Sequence, residues 1–141
     1  FTTAAKMNGL TQVYSANHWQ EAVDWHHVNH PEVRPACQDL QQANFFEVPD
    51  IDLLLASPAC QGHSNARGKE VTARHDPLRS TAWAVVEAMD AKRPKLGLVE
   101  NVAEFLDWHL YPAWKMAMEA LGYSVSPHIT DAADFGVPQN R

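Results

Sequence analysis

Cys60 and Glu100 are the two side chains of this 141-residue sequence best placed to do chemistry. Each follows an apolar run. Ile51–Ala56 leads through Ser57-Pro58-Ala59 into Cys60, and Leu96–Val99 leads straight into Glu100. In open α/β sheets ligands bind beyond the carboxyl ends of the strands, so both residues occupy positions where a ligand is expected. A thiolate is the most nucleophilic side chain near neutral pH, and a loop beside a helix start stabilises it. Cys60 is therefore a candidate nucleophile, with a small buried residue as the alternative. A carboxyl group at the end of an apolar strand is costly to bury ionised. Glu100 is expected either to keep its proton and donate a hydrogen bond or to cap the following helix. Cys37 has no such setting and reads as structural.

These positions imply the elements that must hold them. A short helix is expected over Thr2 to Asn8, closed by Gly9, then a strand over Leu10 to Ala16. Asn17 can cap a helix that runs through Trp19, Ala22, Val23 and His26 on one buried face and stops near Pro31. Pro35 to Leu40 reads as a short edge strand, and Ile51–Ala56 as a parallel strand covered on both faces. Ser57 to Pro77 keeps no period, a length that is usually functional in a compact domain. Helical spacing returns from Leu78 to Ala91, and Leu96–Val99 is the next strand. Val102 to Leu121 contains Pro112 and must be kinked or in two pieces; Tyr123 to Ile129 is a further candidate strand. The alternation predicts one α/β domain with right-handed crossovers.

Composition narrows the possibilities. Eleven Lys and Arg against 17 Asp and Glu give a net charge of -6, so the basic footprint of a whole nucleic-acid-binding domain is absent and any such contact is local. Two cysteines cannot build a disulfide framework, and no apolar run approaches the ~20 residues of a membrane span. A soluble chain in a reducing cytoplasm, without a membrane partner, is expected.

Five segments fall in a telling order: Asn17-His18-Trp19, Asp39-Leu40, Cys60-Gln61-Gly62 with Ser64, Glu100-Asn101-Val102, and Gly136-Val137-Pro138-Gln139-Asn140-Arg141. Together they resemble the cytosine-5 DNA methyltransferases. The first two resemble the family's cofactor-adenosine motifs, the third its catalytic-cysteine motif, the fourth its ENV tripeptide, and the last the start of its QxRxR segment. The resemblance implies methyl transfer from S-adenosylmethionine to C5 of a cytosine flipped out of double-stranded DNA. It assigns Cys60 to attack at C6, Glu100 to bond N3, and Arg141 to hold the flipped base or its phosphate. Trp19 is expected to stack on adenine and Asp39 to accept from its amine, with Asn17, His18, Leu40 and Pro58 completing the cofactor site. Taken without the resemblance, Trp19 could be a core anchor and Asp39 a turn residue. Gln61, Ser64 and Asn101 are expected at the DNA, joined by Arg67, Lys69 and Arg74 if that basic stretch grips phosphates rather than simply being solvated.

The fold so implied is a Rossmann-like methyltransferase sheet with helices on both faces, its central first strand lying before Phe1. The target-recognition domain and final strands would follow Arg141. Residues 1–141 thus read as the middle of a catalytic domain, expected on its own to be marginal, aggregation-prone or dependent on a complementary piece. The setting expected is restriction and modification of bacterial or phage DNA. Three features depart from the family's pattern: His18 stands where an acid usually meets the ribose, Ala59 replaces the proline before the nucleophile, and His63 replaces an aromatic. His26 and His30 have metal-ligand spacing but lack further ligands, so no metal is expected. Two rival readings are a remnant that binds only cofactor or protein, and a cysteine hydrolase using Cys60 with His63. The second lacks an orienting acid and an oxyanion hole.

Overall fold

In a computed structural model, residues 1–59 and 81–137 are described. Their order is α1 (Thr2–Met7), β1 (Tyr14–Asn17), α2 (Gln20–Asn29), β2 (Arg34–Cys37), β3 (Leu53–Ala56), α3 (Thr81–Lys92), β4 (Leu96–Val99) and α4 (Tyr111–Ala120). Short 3-10 turns lie at Phe45–Glu47, Ala103–Phe105 and Ala132–Phe135. The strands form two parallel pairs. β1 runs beside β2 with Tyr14 facing Arg34 and Asn17 facing Cys37; β3 runs beside β4 with Leu53 facing Leu96 and Ala56 facing Val99.

The main core lies between the β3–β4 pair and the helices α3 and α4. Ala82, Val85 and Met89 of α3 recur at helical spacing and are buried with Trp114 and Met118 of α4. Phe105 and Trp108, from the turn after β4, complete the cluster. Phe105 meets Tyr111 and Trp114 edge-on at ring separations of 5.6 and 5.5 Å, a favoured aromatic geometry. The buried Trp114 indole donates from Nε1 to the Ala82 carbonyl at 2.8 Å, joining α4 to α3. Gly97 lets α3 sit close on β4: a Cβ there would lie 3.0 Å from Met89 Cε and 3.1 Å from Met89 Sδ.

The helix ends follow from local chemistry. Beyond α3, Arg93 takes the left-handed conformation (φ 47°), and its side chain donates to the carbonyls of Asp90 and Leu121 at 2.9 and 3.1 Å. Pro94 then bars further helix. In the other half, Val23 of α2 and Val33 before β2 are buried. There α1 is tied down by a bond between Thr2 Oγ1 and His26 Nε2 at 2.7 Å and by the Lys6–Glu32 ion pair.

Several sequence expectations need correction. The first two strands are shorter than Leu10–Ala16 and Pro35–Leu40 because only four residues of each find a ladder partner. β3 is half-buried throughout instead of covered on both faces, and Leu96 and Leu98 of β4 stand 62% and 56% exposed. Its second face is open among the described residues. Tyr123 to Ile129 forms no strand; Tyr123 and Val125 instead pack on the core, and Tyr123 Oη donates to the Pro94 carbonyl at 2.7 Å. The Val102–Leu121 segment does break, into a 3-10 turn and α4, with Pro112 in the first turn of α4. No helix of the described residues is long and apolar enough to cross a membrane.

Candidate functional site

Two clusters of side chains gather where parallel strands end. The first lies past β1 and β2. The Gln38 N–H donates to the Asn17 carbonyl at 3.0 Å and carries the ladder one step beyond the strands. The Asn17 side chain accepts from the Trp19 N–H at 2.9 Å, a local turn that launches α2. Asn17, His18 and Trp19 are all exposed, and Trp19 at 58% is no core anchor. On the neighbouring strand end Cys37 Sγ donates to the His18 carbonyl at 3.7 Å. Asp39 is exposed and shapes its own turn, accepting from the Gln41 N–H at 3.0 Å; Leu40 beside it is half-buried. An accessible indole face, a carboxylate and the exposed His18 imidazole thus share one end of the pair. That donor set fits an adenosine: a flat ring to stack on and an acceptor for an exocyclic amine.

Tyr14, at the start of β1, braces this end. Its hydroxyl accepts from Gln38 Nε2 at 2.8 Å, and Arg34 lies over its ring at 5.9 Å. Burial pushes the phenol above its ordinary range, opposed by the Arg34 charge and the Gln38 bond, with a smaller upward push from Glu47.

The second cluster lies past β3 and β4, and backbone register builds it. The Glu100 N–H donates to the Ala56 carbonyl at 2.9 Å, one step beyond the Ala56–Val99 pairing. Asn101 Nδ2 donates to the Pro58 carbonyl at 3.2 Å, while Asn101 Oδ1 accepts from the Val102 N–H at 2.9 Å. Pro58 is buried, Asn101 half-buried and Glu100 exposed. The burial expected for Glu100 is therefore not found, because β4 has a ladder partner on one side only among the described residues. Glu100 and Asn101 are thus fixed against the segment that leads into Cys60. Cys60 itself, Gln61, His63, Ser64, Arg67, Lys69, Arg74 and Arg141 lie outside the described residues.

At the opposite ends of the same strands, Asp52 and Lys95 pair at 2.7 Å, and that bond holds the Asp52 carboxyl below and the Lys95 ammonium above their ordinary ranges. His26 and His30 do not present themselves as a ligand pair. His26 uses Nε2 toward Thr2 Oγ1 and Nδ1 toward Ser15 Oγ at 3.2 Å, and Lys6 Nζ stands 3.2 Å from His30 Nδ1. Burial and the neighbouring His30, amino-terminal and His27 charges lower the His26 pKa against the pull of Glu32.

The spacing of these clusters along the chain has a counterpart. The family model for C-5 cytosine-specific DNA methylase matches residues 1–141. The chain belongs to this family. Its curated relatives are type II methyltransferases: M.HhaI of Haemophilus parahaemolyticus is 30% identical over 148 residues, covering 100% of this chain and 43% of that protein. M.NlaX of Neisseria lactamica is 31% identical over 133 residues, 92% of this chain and 38% of its own length. M.BsuFI of Bacillus subtilis is 35% identical over 106 residues, 73% of this chain and 25% of its own. The chain thus spans less than half the length of these relatives.

Sequence reasoning missed one polar contact at the second cluster: Thr81, the first residue of α3, accepts the Ala59 N–H on Oγ1 at 3.0 Å. The signal was a threonine where a long aperiodic stretch gives way to helical spacing, a position that attracts hydroxyl side chains. Its partner cannot be read from order along the chain, being 22 residues away.

Proposed function

We propose that this chain is the catalytic segment of a DNA cytosine-5 methyltransferase, acting on a cytosine flipped out of double-stranded DNA. The observation that carries the proposal is the junction at the ends of β3 and β4. There the Glu100 amide and the Asn101 side chain are bonded to the residues that lead into Cys60.

The Cys60 thiolate adds to C6 of the extruded ring, forming an S–C6 bond as the C5=C6 pair moves toward N3 and C5. Glu100, covered by the extruded ring, donates a proton to N3 and stabilises the charge placed on the ring. S-adenosylmethionine supplies the electrophilic methyl group when bound, held by Trp19 against adenine and Asp39 at its amine, with Asn17, His18, Leu40 and Pro58 around it. After C5 is methylated, a base removes the C5 proton, the C5=C6 bond reforms and the Cys60 thiolate leaves. Arg141 and the basic stretch Arg67, Lys69 and Arg74 contact the DNA with Gln61 and Ser64. Asn101, whose amide is engaged within the chain, serves to align the segment before Cys60.

The two strand pairs belong, in this reading, to one Rossmann-like sheet whose joining strand comes from outside residues 1–141, either in a longer protein or in a complementary chain. Four short strands in two separate pairs support it, as does the length of the relatives. The test uses labelled S-adenosylmethionine and DNA bearing 5-fluorocytosine, with and without a complementary fragment. A covalent protein–DNA adduct that Cys60→Ala abolishes is expected. No adduct under any complementation refutes the proposal and favours a remnant that binds cofactor alone.

A further inference from the structure

The peptide group joining Pro58 to Ala59 is gripped at both edges. Its carbonyl accepts from Asn101 Nδ2 at 3.2 Å, and its N–H donates to Thr81 Oγ1 at 3.0 Å. A peptide unit is planar, and its C=O and N–H point in opposite directions. One bond leaves such a plane free to pivot; two from opposite edges fix its tilt as well as its place. The anchors are themselves held: Thr81 begins the twelve-residue helix α3, and the Asn101 amide is oriented by the Val102 N–H at 2.9 Å. Only the two backbone torsions of Ala59 separate this fixed plane from residue 60.

The grip depends on residue 59 carrying an N–H. Proline, the residue expected before the nucleophile, has no N–H and restricts φ through its ring. Ala59 lacks the ring but has the donor, and Thr81 receives it. We infer that Thr81 is a positioning residue for Cys60, its hydroxyl fixing the tilt of the peptide plane from which the chain passes through Ala59. This rests on the proposed role of Cys60. Thr81 acts at one remove, by holding the plane from which the chain enters Ala59.

The test compares Thr81→Val, which keeps the shape and removes the acceptor, with Thr81→Ser, which restores it, in the full-length protein. Thr81→Val is expected to slow formation of the Cys60 adduct with 5-fluorocytosine DNA about three- to tenfold, as loss of one ordinary hydrogen bond allows. Affinities for DNA and for S-adenosylmethionine stay unchanged, Thr81→Ser recovers the rate, and amide exchange at Ala59 accelerates in Thr81→Val alone. In an Ala59→Pro background, where residue 59 no longer donates, Thr81→Val is expected to have a smaller effect. An unaltered rate and unaltered Ala59 exchange in Thr81→Val would overturn the inference, as would an equal loss in the proline background. Should the parent protein give no adduct, the methyl-transfer reading fails separately. Ala59 exchange and the alkylation rate of Cys60 by iodoacetamide then decide the latch: faster exchange with an altered alkylation rate sustains it, and no change in either removes it.

Discussion

Gly97→Ala sets two effects of known size against each other. Removing a glycine from a strand stabilises through the unfolded chain by about 0.4–1 kcal/mol when the new side chain has room. Here it has little: the added Cβ would stand 3.0 Å from Met89 Cε and 3.1 Å from Met89 Sδ, against the about 3.5–4.0 Å at which carbon atoms attract. Met89 is 3% exposed and packed in the cluster of Val85, Phe105 and Trp114, so its flexible end must push into occupied space. Overpacking of this kind costs about 1–3 kcal/mol, and the adaptability of methionine places it toward the low end. The net expectation is a loss of about 0.5 kcal/mol, read as a lower urea midpoint at constant slope by tryptophan fluorescence. Met89→Val shortens the obstructing side chain. In that background the same Gly97→Ala change should turn neutral or stabilising, giving a coupling of about 0.5 kcal/mol or more in a double-mutant cycle. Equal effects of Gly97→Ala in both backgrounds would show that α3 does not press on β4 at this point.

Two further outcomes follow from residues at the first strand pair. Trp19→Ala is expected to weaken S-adenosylmethionine binding about 5- to 150-fold in calorimetry, the range corresponding to the about 1–3 kcal/mol of one aromatic–base stack. The urea midpoint should barely move, because the indole is 58% exposed. His26 has a lowered pKa in the folded chain, so the unfolded chain takes up its proton first as pH falls. Its contribution is complete above the ordinary histidine range near 6.5 and is lost as pH drops through that range toward the folded value. Urea midpoints measured across this window should fall toward acid, and less steeply in His26→Gln; identical slopes would remove His26 from the account.

What the sequence made legible was set by short-range chemistry. Leu96–Val99 is found residue for residue because Pro94 and Glu100 bound an uninterrupted apolar run. Gly9, Gly122 and the break near Pro112 also behave as their backbone preferences dictate. Pairing escaped it. β1 begins at Tyr14 and not at Leu10 because β2 offers only Arg34–Cys37 as partner, and hydrophobic pattern cannot count the partner's residues. Tyr123–Ile129 has strand-like composition, yet its aromatic ring is drawn to the α3–α4 core and its tyrosine hydroxyl to Pro94. At the site, the positions of Trp19, Asp39, Pro58 and Glu100 past strand ends were legible from the order of elements, whereas Asn17, expected just past its strand, is the last residue of β1. The exposure of Glu100 and the contact between Thr81 and Ala59 were not, since both depend on what lies across a sheet or a long stretch of chain.

Ala56 and Val99 lie side by side, and the next amide, that of Glu100, is bonded back to Ala56. The acid is therefore aligned by a backbone clasp, without reference to how many residues the polypeptide spends travelling between the two strands. Insertions, deletions or even a nick within residues 60–80 would leave that alignment standing. Descendants of this sequence can change the length of the intervening stretch while keeping residue 100 in register, so long as the residues proposed above for catalysis and DNA contact are retained.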